Sequence, residues 1–167
     1  MILINNILYT LTVLSQILIA VLLLAFIFKR KQLISFFKNH SSESKYLALA
    51  VSLGATLGSL FYSEIASFTP CVLCWYQRIF MYPIPILLGV GIFFKDNIRK
   101  SVIVISTIGG LIALYHYVVQ MSTIVSCSVD GVDCSIRYLI GFGYITIPLM
   151  ALTAFTLIAL LTYFNKK

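Results

Sequence analysis

The chain has 167 residues, 60% of them hydrophobic and only 10% charged, with a formal net charge of +7. So few charged side chains cannot coat a water-soluble domain of this length, and the apolar residues fall in runs near membrane-spanning length, so the sequence describes an integral membrane protein. The positive charge does not point to nucleic acid, because the basic residues form short clusters between apolar runs and are not interleaved with exposed aromatics; they read as topology signals.

Residues 1–28 carry no charged side chain, and the run 7–28 is long enough to cross a bilayer before it stops at Lys29-Arg30-Lys31. A signal peptide has basic residues before its apolar run and small residues after it, the reverse of this arrangement, so a retained helix with its N-terminus outside is expected. Residues 29–45 hold five basic side chains against the single acid Glu43, with Asn39-His40-Ser41-Ser42 between them, which predicts a cytoplasmic loop with His40 solvated. A second span follows over 46–62. Its small residues Ser52, Gly54, Gly58 and Ser59 predict a stripe for close helix contact within the bundle.

After a short outer loop, 63–69, comes Thr69-Pro70-Cys71-Val72-Leu73-Cys74-Trp75-Tyr76-Gln77-Arg78. Thr69 suits a cap and Pro70 a first helical position, so a helix is expected to start here and continue to residue 94, interrupted by Pro83 and Pro85. Cys71 and Cys74 then fall in the first turn, where free amides and the positive end of the helix dipole favour thiolate. Arg78, four residues beyond Cys74, shares its face and adds a cation. Lys95, Asp96, Arg99 and Lys100 mark another cytoplasmic loop. The fourth span, 101–121, carries Gly109-Gly110 and, near its outer end, His116 and Gln120 at four-residue spacing. These two serve either as bonds to a neighbouring helix or as polar contacts for a ligand head group.

The second outer loop, 122–137, places Asp130-Gly131 between Cys127 and Cys134, a signature of an exposed turn. The fifth span, 138–164, leads to Asn165-Lys166-Lys167. Of the twelve Lys and Arg residues, ten fall in the segments expected inside, leaving Arg78 and Arg137 outside. All four cysteines then face the compartment where disulfides persist. Three readings of the two pairs remain open on the residues alone: structural staples, a four-thiolate zinc site, or a disulfide-exchange relay. Short loops gain little from a staple. The spacing of the second pair departs from that of zinc sites, and no metal is expected. A relay uses the rest: an exposed acidic loop for a soluble partner, and a cysteine pair beside a cation at the depth of a lipid-soluble quinone, which takes two electrons as a dithiol gives two.

The octet from Cys71 to Arg78 resembles the signature of the disulfide bond formation protein B (DsbB) family, quinone-coupled thiol oxidases of bacterial membranes. The second pair and Gly141-Phe142-Gly143-Tyr144-Ile145-Thr146-Ile147-Pro148 are similar to its short-loop BdbC-like branch, and the resemblance covers roughly residues 47–164. It implies an all-α, antiparallel four-helix transmembrane bundle, here over 46–167, with residues 1–45 as an additional N-terminal helix and basic loop. It implies catalytic roles for Cys71, Cys74, Cys127 and Cys134, with Cys71 and Cys74 as the quinone-coupled disulfide. Cys74 and Arg78 would contact ubiquinone or menaquinone, with His116 and Gln120 near that site. Cys127 would form a mixed disulfide with a DsbA-like (BdbD-like) thioredoxin-fold oxidase, and Cys134 would resolve it and pass electrons toward Cys71. The location implied is the bacterial cytoplasmic (inner) membrane. Rival readings are a vitamin K epoxide reductase-like or reductase-side relay, and a scaffold with structural disulfides.

Overall fold

The computed structural model describes residues 2–122, 128–129 and 132–165, with side chains omitted at 128, 129 and 132. Cys127, the expected Asp130-Gly131 turn, Lys166 and Lys167 lie outside the described residues. Helix α1 spans Ile2–Asn39 and α2 Ser41–Leu60, the latter running on through a π-helical turn, Phe61–Ile65. Next come α3, Val72–Met81, and α4, Pro83–Phe93, which form one bent span, then α5, Arg99–Met121, and α6, Ile147–Phe164. Between α5 and α6 two short strands, β1 Ser128–Val129 and β2 Val132–Asp133, pair antiparallel. Among the described residues five helical segments are long and apolar enough to cross a membrane, and the chain is an all-α multi-pass membrane protein.

The basic stretch 29–45 is helical, not a loop. Lys29 has non-helical backbone angles (φ −134°, ψ 40°), which kinks α1 where the apolar run ends, but the helix resumes as far as Asn39. Its stem carries Leu33 and Phe37 on one face, four residues apart, and both are buried, with the Phe37 ring 5.3 Å from that of Phe164 at the end of α6. Lys29, Arg30, Lys31 and Lys38 are all exposed, so the stem docks on the bundle through Leu33 and Phe37 while its charges stay outside. His40, at the break before α2, stacks on Phe36 with ring centroids 4.6 Å apart. The fifth span also differs from expectation. Residues 138–146 are non-helical, with a bridge between Gly141 and Ile145 and positive φ at Phe142 and Gly143, so α6 begins only at Ile147, with Pro148 in its first turn.

α5 and α6 form the best-packed pair, and Gly109 is the reason they close: a Cβ there would sit 2.3 Å from Phe155 Cζ. Phe155, Ile158, Ile84, Val102 and Ala113 build the core around this contact. Pro83 and Pro85 bend the third span at Tyr82, whose N–H still reaches the Arg78 carbonyl at 2.9 Å. At one end of the bundle Arg99 donates to the carbonyls of Thr162 and Tyr163, capping α6 with a cation. At the other end Arg137 does the same for α5 through the Gln120 carbonyl. The cysteines lie at this second end.

Candidate functional site: a cysteine pair between two cavities

The start of α3 differs by two residues from the expected one. Thr69 and Pro70 precede the helix in non-helical backbone, and Cys71 itself is the N-cap, with φ −74° and ψ 171°. The helix therefore opens at Val72 and Cys74 is its third residue. The shift keeps both sulfurs at the amide end of the helix and brings them 3.1 Å apart, longer than a disulfide bond and close enough for one thiol to hydrogen-bond the other's thiolate. Both cysteines are free, and Cys71 is buried. The Cys74 thiol and then the His116 ring hold the Cys71 thiol well below the usual thiol range, against the opposing effect of burial.

His116 is fully buried in α5 and connects both cysteine segments. Its Nε2 lies 3.1 Å from the Cys134 carbonyl oxygen and 3.6 Å from Cys71 Sγ, while its Nδ1 lies 2.8 Å from the Gln77 side-chain amide. The carbonyl can only accept, so Nε2 carries a proton. Gln77 suits either state of the other nitrogen: its NH2 donates to bare Nδ1, and with the amide turned over its oxygen accepts from Nδ1–H. Cys134 is disulfide-bonded, 1% exposed, and packs in one buried cluster with Cys71 and Val119. The two sulfurs of α3 and an imidazole nitrogen lie within 4.8 Å of one another, a spacing a soft metal ion can bridge. Here, however, Nε2 is committed as a donor to Cys134 and Nδ1 to Gln77, leaving no lone pair for an ion without breaking this network.

Arg78 points away from His116. Its Nε donates to Ser59 Oγ at 3.1 Å, its Nη2 to the Ser59 carbonyl at 3.3 Å, and its guanidinium lies 5.2 Å from the Trp75 ring. It lines a cavity of about 390 Å³ that also touches Cys74, Gln77, Gly54, Gly58 and Ala154. Of the small-residue stripe of α2, Ser52 is fully buried in the bundle, but Gly54 and Gly58 do not serve close helix packing as expected. A Cβ on Gly54 would meet nothing within 4 Å, and one on Gly58 only Leu8 at 3.8 Å. The absent side chains make room instead.

His116 and Gln120 do not border this cavity. They line a second, much smaller space with Cys71, Cys74, Ile136 and Thr146. Gln120 is a scaffold there, its side-chain NH2 donating to the Ile136 carbonyl at 3.0 Å while its backbone carbonyl accepts from Arg137. Cys74 is on the wall of both cavities and Cys71 only on that of the small one. Ser59, Gln77 and Arg137 belong to this site although the residue types gave no chemical reason to select them. For Gln77 a signal existed, since a glutamine one residue before Arg78 in an apolar span needs partners.

A model of the family described as "Disulfide bond formation protein DsbB" matches residues 42–165. Disulfide bond formation protein C of Bacillus subtilis (strain 168) is 48% identical over 118 residues, covering 68% of this chain and 85% of the relative. Probable disulfide formation protein C 1 of Bacillus anthracis is 45% identical over 126 residues, covering 73% and 91%. The SPbeta prophage-derived disulfide bond formation protein B of B. subtilis (strain 168) is 48% identical over 115 residues, covering 67% and 78%. No solved structure matches the chain. The cysteine turn, its bundle and these relatives agree, and the chain belongs to the DsbB family of disulfide bond formation proteins.

Proposed function

We propose that the protein reoxidises an extracytoplasmic thioredoxin-fold oxidase, DsbA-like or BdbD-like, by passing two electrons through Cys127/Cys134 and then Cys71/Cys74 to a membrane quinone, ubiquinone or menaquinone. The observation that carries this reading is that Cys74 borders both cavities while Cys71 packs beside Cys134. The basic residues cluster at the bundle end opposite the cysteines, which supports an inner-membrane orientation with the cysteine end outside.

A thiolate of the reduced partner attacks Cys127 Sγ of the Cys127–Cys134 disulfide, and Cys134 leaves as thiolate. The partner's second thiol breaks the mixed disulfide in place of Cys134, whose attack on Cys127 would only reverse the first step, so the partner departs oxidised and Cys127 is reduced. Cys134 then attacks Cys71 of the Cys71–Cys74 disulfide and releases the Cys74 thiolate. Cys127 resolves the Cys134–Cys71 bond and leaves Cys71 and Cys74 reduced, the state in which their sulfurs lie 3.1 Å apart. His116 favours this direction, because its Nε2–H stabilises Cys71 as a leaving thiolate, and a lower leaving-group pKa speeds exchange. The same Nε2–H is shared with the Cys134 carbonyl, the nearer acceptor, and so holds the loop against α3.

The large cavity fits the acceptor: its volume is in the range of small-molecule sites, one end carries Arg78 and Gln77, and the remainder is mostly apolar. A bound quinone supplies a two-electron, two-proton acceptor. Arg78, braced by Ser59 and Trp75, places a fixed positive charge where negative charge develops, and Cys74 presents its sulfur from the same helix face. The names of the relatives favour oxidation over a reductase-side relay. The test mixes purified protein with a reduced thioredoxin-fold oxidase and either quinone and follows quinol formation. Thiol-dependent quinol that vanishes in Cys71→Ser and Cys74→Ser is expected, and quinol formed equally by both variants would refute the proposal.

A further inference from the structure

Helix α1 lies almost entirely outside the residues matched by the family model, which begin at 42. Yet Leu8, Leu11, Thr12 and Ser15, spaced as one helical face, line the large cavity opposite Gly54 and Gly58. On the other faces Ile7, Leu14, Ile17 and Val21 are exposed and outside the lining, as suits contact with lipid, while Leu11 stands at the edge of the cavity, about half exposed. We infer that α1 is a wall of the quinone site, presenting Leu8 beside the Arg78 anchor and Ser15 further along the apolar part. This deepens the acceptor reading proposed above and rests on it.

Four contacts fix the rotation and depth of α1. The Tyr9 ring fills the space a side chain on Gly141 would need, since a Cβ there would lie 2.5 Å from Tyr9 Cδ1. Tyr62 donates its hydroxyl to Asn5 Oδ1 at 3.2 Å, and Tyr144 donates to Gln16 Oε1 at 2.9 Å. Gln16 in turn donates to Thr153 Oγ1 of α6 at 3.5 Å. The Tyr9 and Gln16 ties hold α1 against α6 and the 138–146 segment and the Asn5 tie holds it to the π-helical turn after α2, while α1 stands off from the glycines of α2 itself, and the space left between them is the cavity. Leu8 lies near Gly58, next to the Ser59 that holds Arg78, so it sits at the polar end. Ser15 is two turns, about 10 Å, beyond it along the helix axis, where the lining is Val51, Gly54 and Ala154. An acceptor with its ring at Cys74 therefore runs its apolar tail between α1 and α2.

The chain has one tryptophan, Trp75. In a Trp75→Phe background, single tryptophans placed by Ser15→Trp, Leu11→Trp and, as an outward control, Leu14→Trp give a readout of occupancy that needs no turnover, because quinones quench indole emission on contact. Emission from Ser15→Trp or Leu11→Trp should fall by more than half along a saturating curve as quinone is titrated. Emission from Leu14→Trp should fall only linearly, as for a probe in the lipid. Identical curves at all three positions would overturn the inference. If they are identical while wild-type protein makes thiol-dependent quinol, the acceptor reading stands without the α1 wall. If quenching saturates at 11 or 15 but wild-type makes no thiol-dependent quinol, the wall stands and the reaction assigned to it falls.

Discussion

Replacing Arg78 with lysine keeps the charge and removes the fork. In the wild-type protein the guanidinium donates at once to Ser59 Oγ and the Ser59 carbonyl, at 3.1 and 3.3 Å, and its carbon lies over the Trp75 ring, 5.2 Å from the centroid, in a cation–π contact. A lysine ammonium is a point charge on a flexible stem and cannot hold both acceptors in one plane. The loss of one hydrogen bond from a charged donor amounts to about 1.5–3 kcal/mol, and the aromatic contact to about 0.5–1 kcal/mol at a site of this kind. The hydrogen bond dominates, and at roughly 1.4 kcal/mol per factor of ten it corresponds to acceptor use weakened about ten- to a hundredfold. The effect should appear as a raised KM for quinone in a quinol assay at saturating reduced oxidase. The rate of electron entry from the oxidase into Cys71/Cys74, measured without quinone, should be unchanged. Ser59→Ala removes one acceptor and keeps the carbonyl, so it should give a smaller rise. An Arg78→Lys protein that matched wild type at every quinone concentration would refute the role assigned to the fork.

Three further outcomes follow from the geometry. Alkylation of Cys71 in reduced protein should persist well below the pH at which an ordinary thiol protonates; Cys74→Ala should move its midpoint upward, and His116→Phe should do so by a smaller step, because the Cys74 thiol is the larger influence. Midpoints unmoved by both changes would contradict the hydrogen-bond account. Since folded Cys71 binds its proton less tightly than the unfolded chain does, the reduced protein should lose stability as pH falls from the ordinary thiol range through the lowered Cys71 value, while a Cys71→Ala protein should lack that component. Gly109→Leu should destabilise the bundle by about 1–3 kcal/mol or more, as overpacking against Phe155, and thermal unfolding in detergent reads the loss.

The bundle was legible because hydropathy and the placement of basic residues are one-dimensional signals that a bilayer enforces. The four-residue offset from Cys74 to Arg78 and the cysteine turn were legible for a similar reason, since both depend on neighbours in sequence. The stem of α1 was misread as a loop because its charge count hid the Leu33 and Phe37 face, which acquires meaning only against Phe164. The start of α6 was set nine residues too early because Tyr138, Leu139 and Ile140 are apolar, while the turn at Phe142 and Gly143 depends on backbone angles. His116 stood out as a polar residue near the outer end of an apolar span, but its partners come from α3 and from the loop after α5, 39 and 18 residues away, and no spacing rule connects them. The glycines of α2 show the same gap from the other side: a pattern that permits close packing also permits a cavity, and only the position of α1 distinguishes the two.

Electron transfer in the proposed order requires Cys71 to face Cys134 and Cys74 to face the acceptor. Two double variants compare these directly: Cys74→Ser with Cys127→Ser leaves Cys71 and Cys134, and Cys71→Ser with Cys127→Ser leaves Cys74 and Cys134. After mild oxidation in membranes and alkylation of free thiols, mass spectrometry of the digested protein measures the linked fraction. The first variant should form the Cys71–Cys134 disulfide readily and the second should form little of its counterpart; a second variant that linked as fully and as fast as the first would contradict the order of electron transfer proposed here.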